Sequence, residues 1–404
     1  MSDVAPSRVV LPDSPRLQPE PTIAEVRVGL IGGAFMAKAH SIAYAKIPLL
    51  SWPSPTRPVL MALAAESSAE AQAAAQRYGY RRAYEGWRKL VEDPEIELVD
   101  NSGPPFIHAE ACIAAAEAGK SVLCEKPLGR NAAESRRMRD AVIKAGVKHG
   151  CGFVYRFAPA IRLARMLIEQ GKLGRIYHFR MHYLQEWLAN PLMSPGYRIT
   201  KELAGSGVLG NVGSHMIDLA RYLVGEPKYV NALTRTFITE RPSATRPGQL
   251  QKVEVEDAFV GLIEYENGAI GTLEASGMAR GRKNSAYWEI NGEKGSLAFD
   301  LERMNELQVF LPEEQDSALV AGFTNVLVSD SSHPFLQAWW PSGFVIGWAD
   351  LFVNYLQHFI SAMASDTPVE PLCATFEDGY RAAVVCDALA ASAADGGARV
   401  DIRY

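Results

Sequence analysis

The sequence predicts an α/β protein in two parts: an N-terminal, doubly wound parallel sheet, then a C-terminal α/β part on a large, mostly antiparallel open sheet. Three observations predict it. Over residues 26–150, short apolar strands alternate with Ala-rich helical stretches, the rhythm of a parallel sheet covered on both faces. After about residue 155 strands dominate, and Glu266-Asn267-Gly268 is a hairpin signal between two alternating runs. A chain of 404 residues also exceeds one ordinary core. The expected division is a flexible arm over 1–25, a first domain over 26–150 and a second over 151–404, whose last helices can return to the first.

Val26-Arg27-Val28-Gly29-Leu30-Ile31 is a β-branched strand running into Gly32-Gly33, with a helix over 37–45 behind it. A Pro-broken loop through Trp52, Pro53, Pro55 and Pro58 leads to a strand over 59–64 and an Ala-rich helix over 69–78. A strand over 98–101, a helix over 109–118 and a strand over 121–124 follow. Asn131-Ala132-Ala133-Glu134 fits a capping box opening a helix toward Lys144, and 147–153 is the next strand. In the second part, helices over 160–170 and 211–224 precede strands over 229–237, 258–265, 269–275, 287–291, 296–299 and 307–311. Residues 348–363 and 377–394 are helical again.

Composition removes several classes of function. Hydrophobic residues at 48% and charged residues at 22% describe an ordinary soluble protein. A formal net charge of −5 gives no electrostatic reason to expect nucleic acid or an anionic membrane as partner. No apolar run approaches the roughly 20 residues of a membrane helix. The arm holds five prolines and no apolar segment, which is not the pattern of a secretory signal. Cys112, Cys124, Cys151, Cys373 and Cys386 form no CxxC pair and read as reduced thiols in a cytoplasmic protein. The eight histidines form no metal-binding spacing, so no metal is expected.

Three segments carry chemistry. Gly32-Gly33-Ala34-Phe35-Met36-Ala37 joins a strand to a helix, where backbone can approach a pyrophosphate; the alternative is a tight structural turn. Ala34 and Ala37 stand where a GxGxxG motif has glycine, and alanine does not take positive φ cheaply. Glu66, after the second strand, can hold a ribose diol and so favour NAD. Ser67 and Ser68 can instead tolerate the 2′-phosphate of NADP, so NAD or NADP is expected, with the balance toward NAD.

Cys124-Glu125-Lys126-Pro127 ends a strand at the edge where open α/β sheets bind ligands. There Lys126 can polarise a carbonyl or bond an alcohol, or else form a surface ion pair with Glu125. Finally, Asn211, His215 and Asp218 recur at i, i+4 and i+7 behind the glycines of Gly205-Ser206-Gly207, which let a ligand or another backbone come close. This polar stripe is a catalytic candidate; a structural histidine is the alternative.

From about Val26 onward the chain resembles the Gfo/Idh/MocA family of glucose–fructose oxidoreductase and inositol dehydrogenase-like proteins. The most specific pieces are residues 108–127 (HAEACIAAAEAGKSVLCEKP) and 205–225. Within the family it most resembles levoglucosan dehydrogenase-like members, through residues 32–44 with Trp52-Pro53, Tyr183-Leu184-Gln185-Glu186-Trp187, and His333-Pro334 followed by Trp340-Pro341. The resemblance implies a Rossmann domain and a second domain whose open sheet often makes a homodimer or homotetramer interface. It implies hydride transfer between nicotinamide and a ring C–OH of a sugar, anhydrosugar, glycoside or cyclitol, or the reverse reduction. Lys126 and His215 would flank that carbon as catalytic residues with Asn211, and Lys126-Pro127 would be a cis peptide.

It further implies cofactor contacts from Gly32, Gly33, Ala34, Phe35, Met36, Glu66, Gly103, Pro104, His108, Glu125, Lys126 and Arg198. Tyr155, Arg156, Tyr183, Gln185 and Trp187 would line the substrate pocket with Lys126 and His215. The departures are Asn211 where the family usually has Asp, Gly103-Pro104-Pro105 where it reads Thr-Pro-Asn, and Val154 where Asn is common before Tyr-Arg. A non-catalytic ligand-binding or partner protein on the same fold is the remaining alternative.

Overall fold

The computed structural model describes residues 23–50, 53–315 and 317–404. Most of the arm expected over 1–25, and Trp52 of the Pro-broken loop, lie outside these residues. The first strand, β1 (Ala24–Ile31), already includes Ala24 and Glu25, which pair with Thr56 and Arg57. The chain continues through α1 (Phe35–Leu50), β2 (Thr56–Ala65), α2 (Ser68–Tyr78), β3 (Arg82–Glu85), α3 (Trp87–Glu92) and β4 (Leu98–Asn101). Then come α4 (Pro105–Glu117), β5 (Ser121–Cys124), α5 (Ala132–Ala145) and β6 (His149–Cys151). The strands form a parallel six-stranded sheet in the order β3-β2-β1-β4-β5-β6. The order reverses beside β1, so the carboxyl ends of β1 and β4 diverge there and leave a crevice.

Local chemistry accounts for the helix ends. Ser67 caps α2 by accepting from the Glu70 N–H, and Gly79 ends that helix in the left-handed region. Asn131 caps α5 by accepting from the Glu134 N–H at 2.9 Å. The reciprocal half of the expected capping box is replaced: the Glu134 carboxylate takes the Arg130 N–H at 3.0 Å and the Arg130 guanidinium. α1 runs past the predicted end at 45 to Leu50, tolerating Pro48 in its last turn.

The second part contains α6 (Pro159–Glu169), β7 (Ile176–Leu184), α7 (Lys201–Ala204), α8 (Ser214–Leu223), β8 (Pro227–Arg235), β9 (Glu240–Pro242) and β10 (Leu250–Lys252). β11 (Ala258–Tyr265), β12 (Ile270–Ser276), β13 (Ser285–Gly292), β14 (Ser296–Asp300), β15 (Glu306–Phe310) and β16 (Thr324–Leu327) follow. The chain ends with α9 (Asp350–Ser365), α10 (Phe376–Ala394) and β17 (Val400–Asp401). Its main sheet has the order β16-β15-β14-β13-β7-β12-β11-β8-β17 and is antiparallel except between β12 and β7. The sequence reading passed over β7, the strand between β12 and β13, because its outward positions carry His178, Arg180 and His182 rather than a plain polar alternation.

One face of this sheet packs on α6, α8 and α10, burying Trp288, Phe179, Phe259 and Tyr265. The other face exposes Leu233, Val260, Leu262 and Ile270. α9 returns to the first sheet and lies on α1, with Lys46 and Asp350 paired at 2.6 Å. α10 packs on α5 and β8.

The predicted helix over 211–224 is divided. A π-helical turn at Leu209–Gly213 precedes α8, so Asn211, His215 and Asp218 do not form one continuous α-helical stripe.

Candidate active site

The turn after β1 places its positive φ, +115°, on Gly32. A Cβ there would meet Ser102 Oγ at 2.9 Å and Ser102 O at 3.2 Å, so only glycine lets the β1 and β4 turns approach this closely. Among the described residues the non-glycine positions with positive φ are Phe335 and Asp366, so Ala34 and Ala37 carry no such strain. Ala37 instead packs with Leu30, Leu63, Ala74 and Ala75 beneath the turn. The two departures from glycine therefore leave the turn intact.

These turns open on a cavity of about 1340 Å³. Gly32, Gly33, Ala34, Phe35 and Met36 line one end, with Glu66 at the tip of β2 and Gly103-Pro104 after β4. Glu125, Lys126, Gln185, Trp187, Arg198 and Asn211 line the other. The glycine cradle and the carboxylate at the end of β2 fit NAD: a carboxylate there bonds a ribose diol and repels a 2′-phosphate.

Lys126 enters the cavity on a cis peptide to Pro127. Its Nζ donates to the Asn211 carbonyl at 2.9 Å and to Asn211 Oδ1 at 3.2 Å. Burial pushes its pKa below the usual lysine value; Glu125 opposes the drop and Arg198 adds to it. His215, 8% exposed, lies behind the wall against the rings of Tyr155 at 4.7 Å, Phe153 at 5.9 Å and Tyr183 at 6.4 Å. Burial and then the nearby Lys126 charge hold its pKa well below 6.5. His215 Nδ1 has no hydrogen-bond partner among the described residues. Asn211 thus bonds Lys126 rather than the His215 imidazole with which the helical spacing grouped it. Asn211 lies within the π-helical turn at Leu209–Gly213, whereas His215 lies in the first turn of α8.

A hydrogen-bonded chain leads from behind His215 to the cavity wall. Tyr155 and Tyr183 share a bond of 2.7 Å, and Tyr183 donates to Asn284 Oδ1 at 2.9 Å. Gln185 Nε2 donates to the same oxygen at 2.7 Å, and Trp187 Nε1 donates to Gln185 Oε1 at 3.0 Å.

Tyr155 and Tyr183, expected to line the pocket, thus lie behind its wall with His215, and two further expected site residues are held in buried contacts of their own. Arg156 is buried against Asp218 and Asp378, with its Nε 2.9 Å from Asp218 Oδ2, and stacks over Tyr222. An arginine this deep is held by the carboxylates that neutralise it, and Asp218 is drawn into the same cluster. His108 is fully buried, with one nitrogen 3.0 Å from Gly103 O and the other 3.0 Å from Pro127 O, so it ties two loops together behind the cavity. The glycines before Asn211 admit backbone: a Cβ on Gly205 would fall 2.1 Å from Arg130 O, and one on Gly207 2.0 Å from Glu256 O.

The sequence reading missed Ser102, Tyr197 and Lys283 in the wall, and Asn284 behind it. Each sits in or beside a turn, where no periodicity marks it.

Residues 26–153 match the oxidoreductase family with an NAD-binding Rossmann fold, and residues 161–298 match the GFO/IDH/MocA C-terminal domain. Levoglucosan dehydrogenase of Pseudarthrobacter phenanthrenivorans is 42% identical over 381 residues, covering 91% of this chain and 96% of the relative. D-glucoside 3-dehydrogenase of Escherichia coli is 31% identical, covering 63% and 71%. The solved structure of a levoglucosan dehydrogenase with NADH and levoglucosan superposes with a TM-score of 0.89 at 42% identity, over 94% of this chain and 99% of that one. With both domain matches in one chain and a relative 42% identical over 91% of it, the protein belongs to the Gfo/Idh/MocA oxidoreductase family.

Proposed function

We propose that the protein oxidises a ring hydroxyl of an anhydrosugar or a related pyranoside, with levoglucosan the first substrate to assay. The observation that carries this reading is the Lys126 ammonium on Asn211 at the cavity wall, with a neutral His215 imidazole nearby. Bound NAD supplies the hydride acceptor; Gly32 to Met36, Glu66, Gly103 and Pro104 are the residues that would hold it. Lys126 Nζ bonds the reacting oxygen and stabilises negative charge as it develops. His215, held neutral, is ready to take the hydroxyl proton at Nε2, since its Nδ1 is buried. Trp187 offers an apolar ring face, while Gln185 and Arg198 offer hydrogen bonds, a mixture that suits a ring carrying several hydroxyls.

The cofactor-binding unit is taken as 26–150 and the substrate unit as 151–404. Five buried free thiols fit a reducing, cytoplasmic setting. The exposed apolar stripe of Leu233, Val260, Leu262 and Ile270 fits a homodimer or homotetramer contact.

The test is NADH formation with a panel of anhydrosugars, glycosides, hexoses, cyclitols, 2-hydroxy acids and linear alcohols. Turnover is expected among the ring compounds, and turnover confined to hydroxy acids would overturn the reading.

A further inference from the structure

A buried hydrogen-bonded chain runs beneath the Lys126 loop and has no part in the chemistry above. His40, 1% exposed, reaches from α1 into the gap between the ends of β4 and β5. Its Nδ1 lies 2.8 Å from Asp100 Oδ2 and its Nε2 lies 3.1 Å from Glu125 Oε1. Tyr44, one turn further along α1, donates to the same Asp100 oxygen at 2.9 Å. The second Glu125 oxygen accepts the backbone N–H of Lys126 at 3.2 Å. The protein packs closely on His40, Tyr44, Asp100 and Glu125, of which Glu125 alone reaches the cavity wall. Phe352 of α9 packs on the imidazole at 5.2 Å, and a Cβ on Gly152 would fall 2.7 Å from Glu125 Oε1.

An imidazole that serves a carboxylate at each nitrogen needs a proton on both, which only the imidazolium has. Burial alone would lower the His40 pKa. Asp100 and Glu125 outweigh it and push the value up to about 10. Of the other titratable groups near this chain, Tyr44, Tyr80, Tyr155, Tyr355, Cys124 and Cys151 are raised and His108 is lowered, so all stay neutral at working pH. Lys126 is the remaining cation near Glu125.

We propose that His40 is a positioning residue: it fixes the Glu125 carboxylate that holds the Lys126 N–H, and so seats the Lys126 ammonium on Asn211. Its positive charge also offsets the Glu125 charge, which favours the protonated lysine. The inference rests on the reading of Lys126 as the group that contacts the reacting oxygen.

The test compares His40→Gln, Glu125→Gln, the double variant and Lys126→Met in the full-length protein. His40→Gln keeps one hydrogen bond and removes the charge. It is expected to lower kcat by about 10- to 100-fold, the scale of a misplaced catalytic group, with NAD affinity within about threefold. The alkaline limb of the pH–rate profile is expected to move to higher pH, because Glu125 is then unbalanced; a purely structural loss would leave that limb in place.

The double variant is expected to be no slower than Glu125→Gln alone, since His40 acts through Glu125. Turnover of His40→Gln within twofold of the unmodified protein, or effects that simply multiply, would overturn the proposal. If the variant does not fold, ring-nitrogen NMR of the unmodified protein decides. A His40 signal that stays protonated through pH 8 supports the proposal, and one that titrates near the ordinary histidine value overturns it. Lys126→Met that retains more than about a tenth of turnover removes Lys126 from the mechanism, and this inference with it.

Discussion

Asn211 is the residue whose role the structure changes most. Next to an imidazole it would tune a base. On Lys126 it instead holds an ammonium through two oxygens, its carbonyl at 2.9 Å and its side chain at 3.2 Å. The amide carries no charge, so burial and Arg198 depress the Lys126 pKa, with Glu125 the main group pulling the other way. Asn211→Asp puts a carboxylate at that contact and stabilises the ammonium, so the Lys126 pKa should rise. If the ammonium bonds the reacting oxygen, activity is lost as pH climbs through that pKa. The alkaline limb of kcat should therefore move to higher pH in the variant. Alkaline limbs that coincide would show that the contact does not govern Lys126 in the working enzyme.

At the scale of elements, the site depends on turns that bring backbones unusually close. Gly32 lets the β1 turn touch Ser102, and an alanine there faces both a backbone at φ +115° and a contact of 2.9 Å. Strain of that kind costs about 1–3 kcal/mol, and relieving it moves the turn that lines the cavity. Gly32→Ala should lower the melting temperature by several degrees and weaken NAD binding by about tenfold or more, measured by calorimetry. Gly33→Ala has a Cβ contact of 3.6 Å to Ala65 and serves as the milder comparison. The π-helical turn at Leu209–Gly213 is the second such device: it gives Asn211 to Lys126, while Asp218 lies against Arg156.

Across the whole molecule, two charge clusters in the interior join the elements and give stability opposite pH limits. His40 has its folded pKa raised from 6.5 to about 10, so its contribution is complete below about pH 6.5 and fades as pH rises toward 10. Asp378 is partly buried, which alone would raise its pKa, yet Arg156 and Arg221 hold it down at about 2. Its contribution is present above about pH 4 and is lost as pH falls toward 2. Thermal unfolding across pH should show a plateau between these limits, and His40→Gln should flatten the alkaline slope while leaving the acid slope unchanged. An alkaline slope identical in the two proteins would show that His40 is not the charged group holding α1 to β4 and β5.

The sequence by itself determined the parts that repeat or depend on local chemistry. The strand–helix alternation, the cap at Asn131, the turn at Gly32 and the Lys126-Pro127 segment were all legible, because each depends on residues within a turn or two of one another. The tertiary structure decided which polar side chains meet. Spacing placed Asn211 with His215, and the family resemblance placed Arg156 in the pocket, yet Asn211 bonds Lys126, 85 positions away, and Arg156 bonds Asp218 across 62. The partners of His40 are 60 and 85 positions distant. A buried charge is satisfied by whatever the packing of strands and helices brings within about 3 Å, and that packing leaves no spacing in the chain to read.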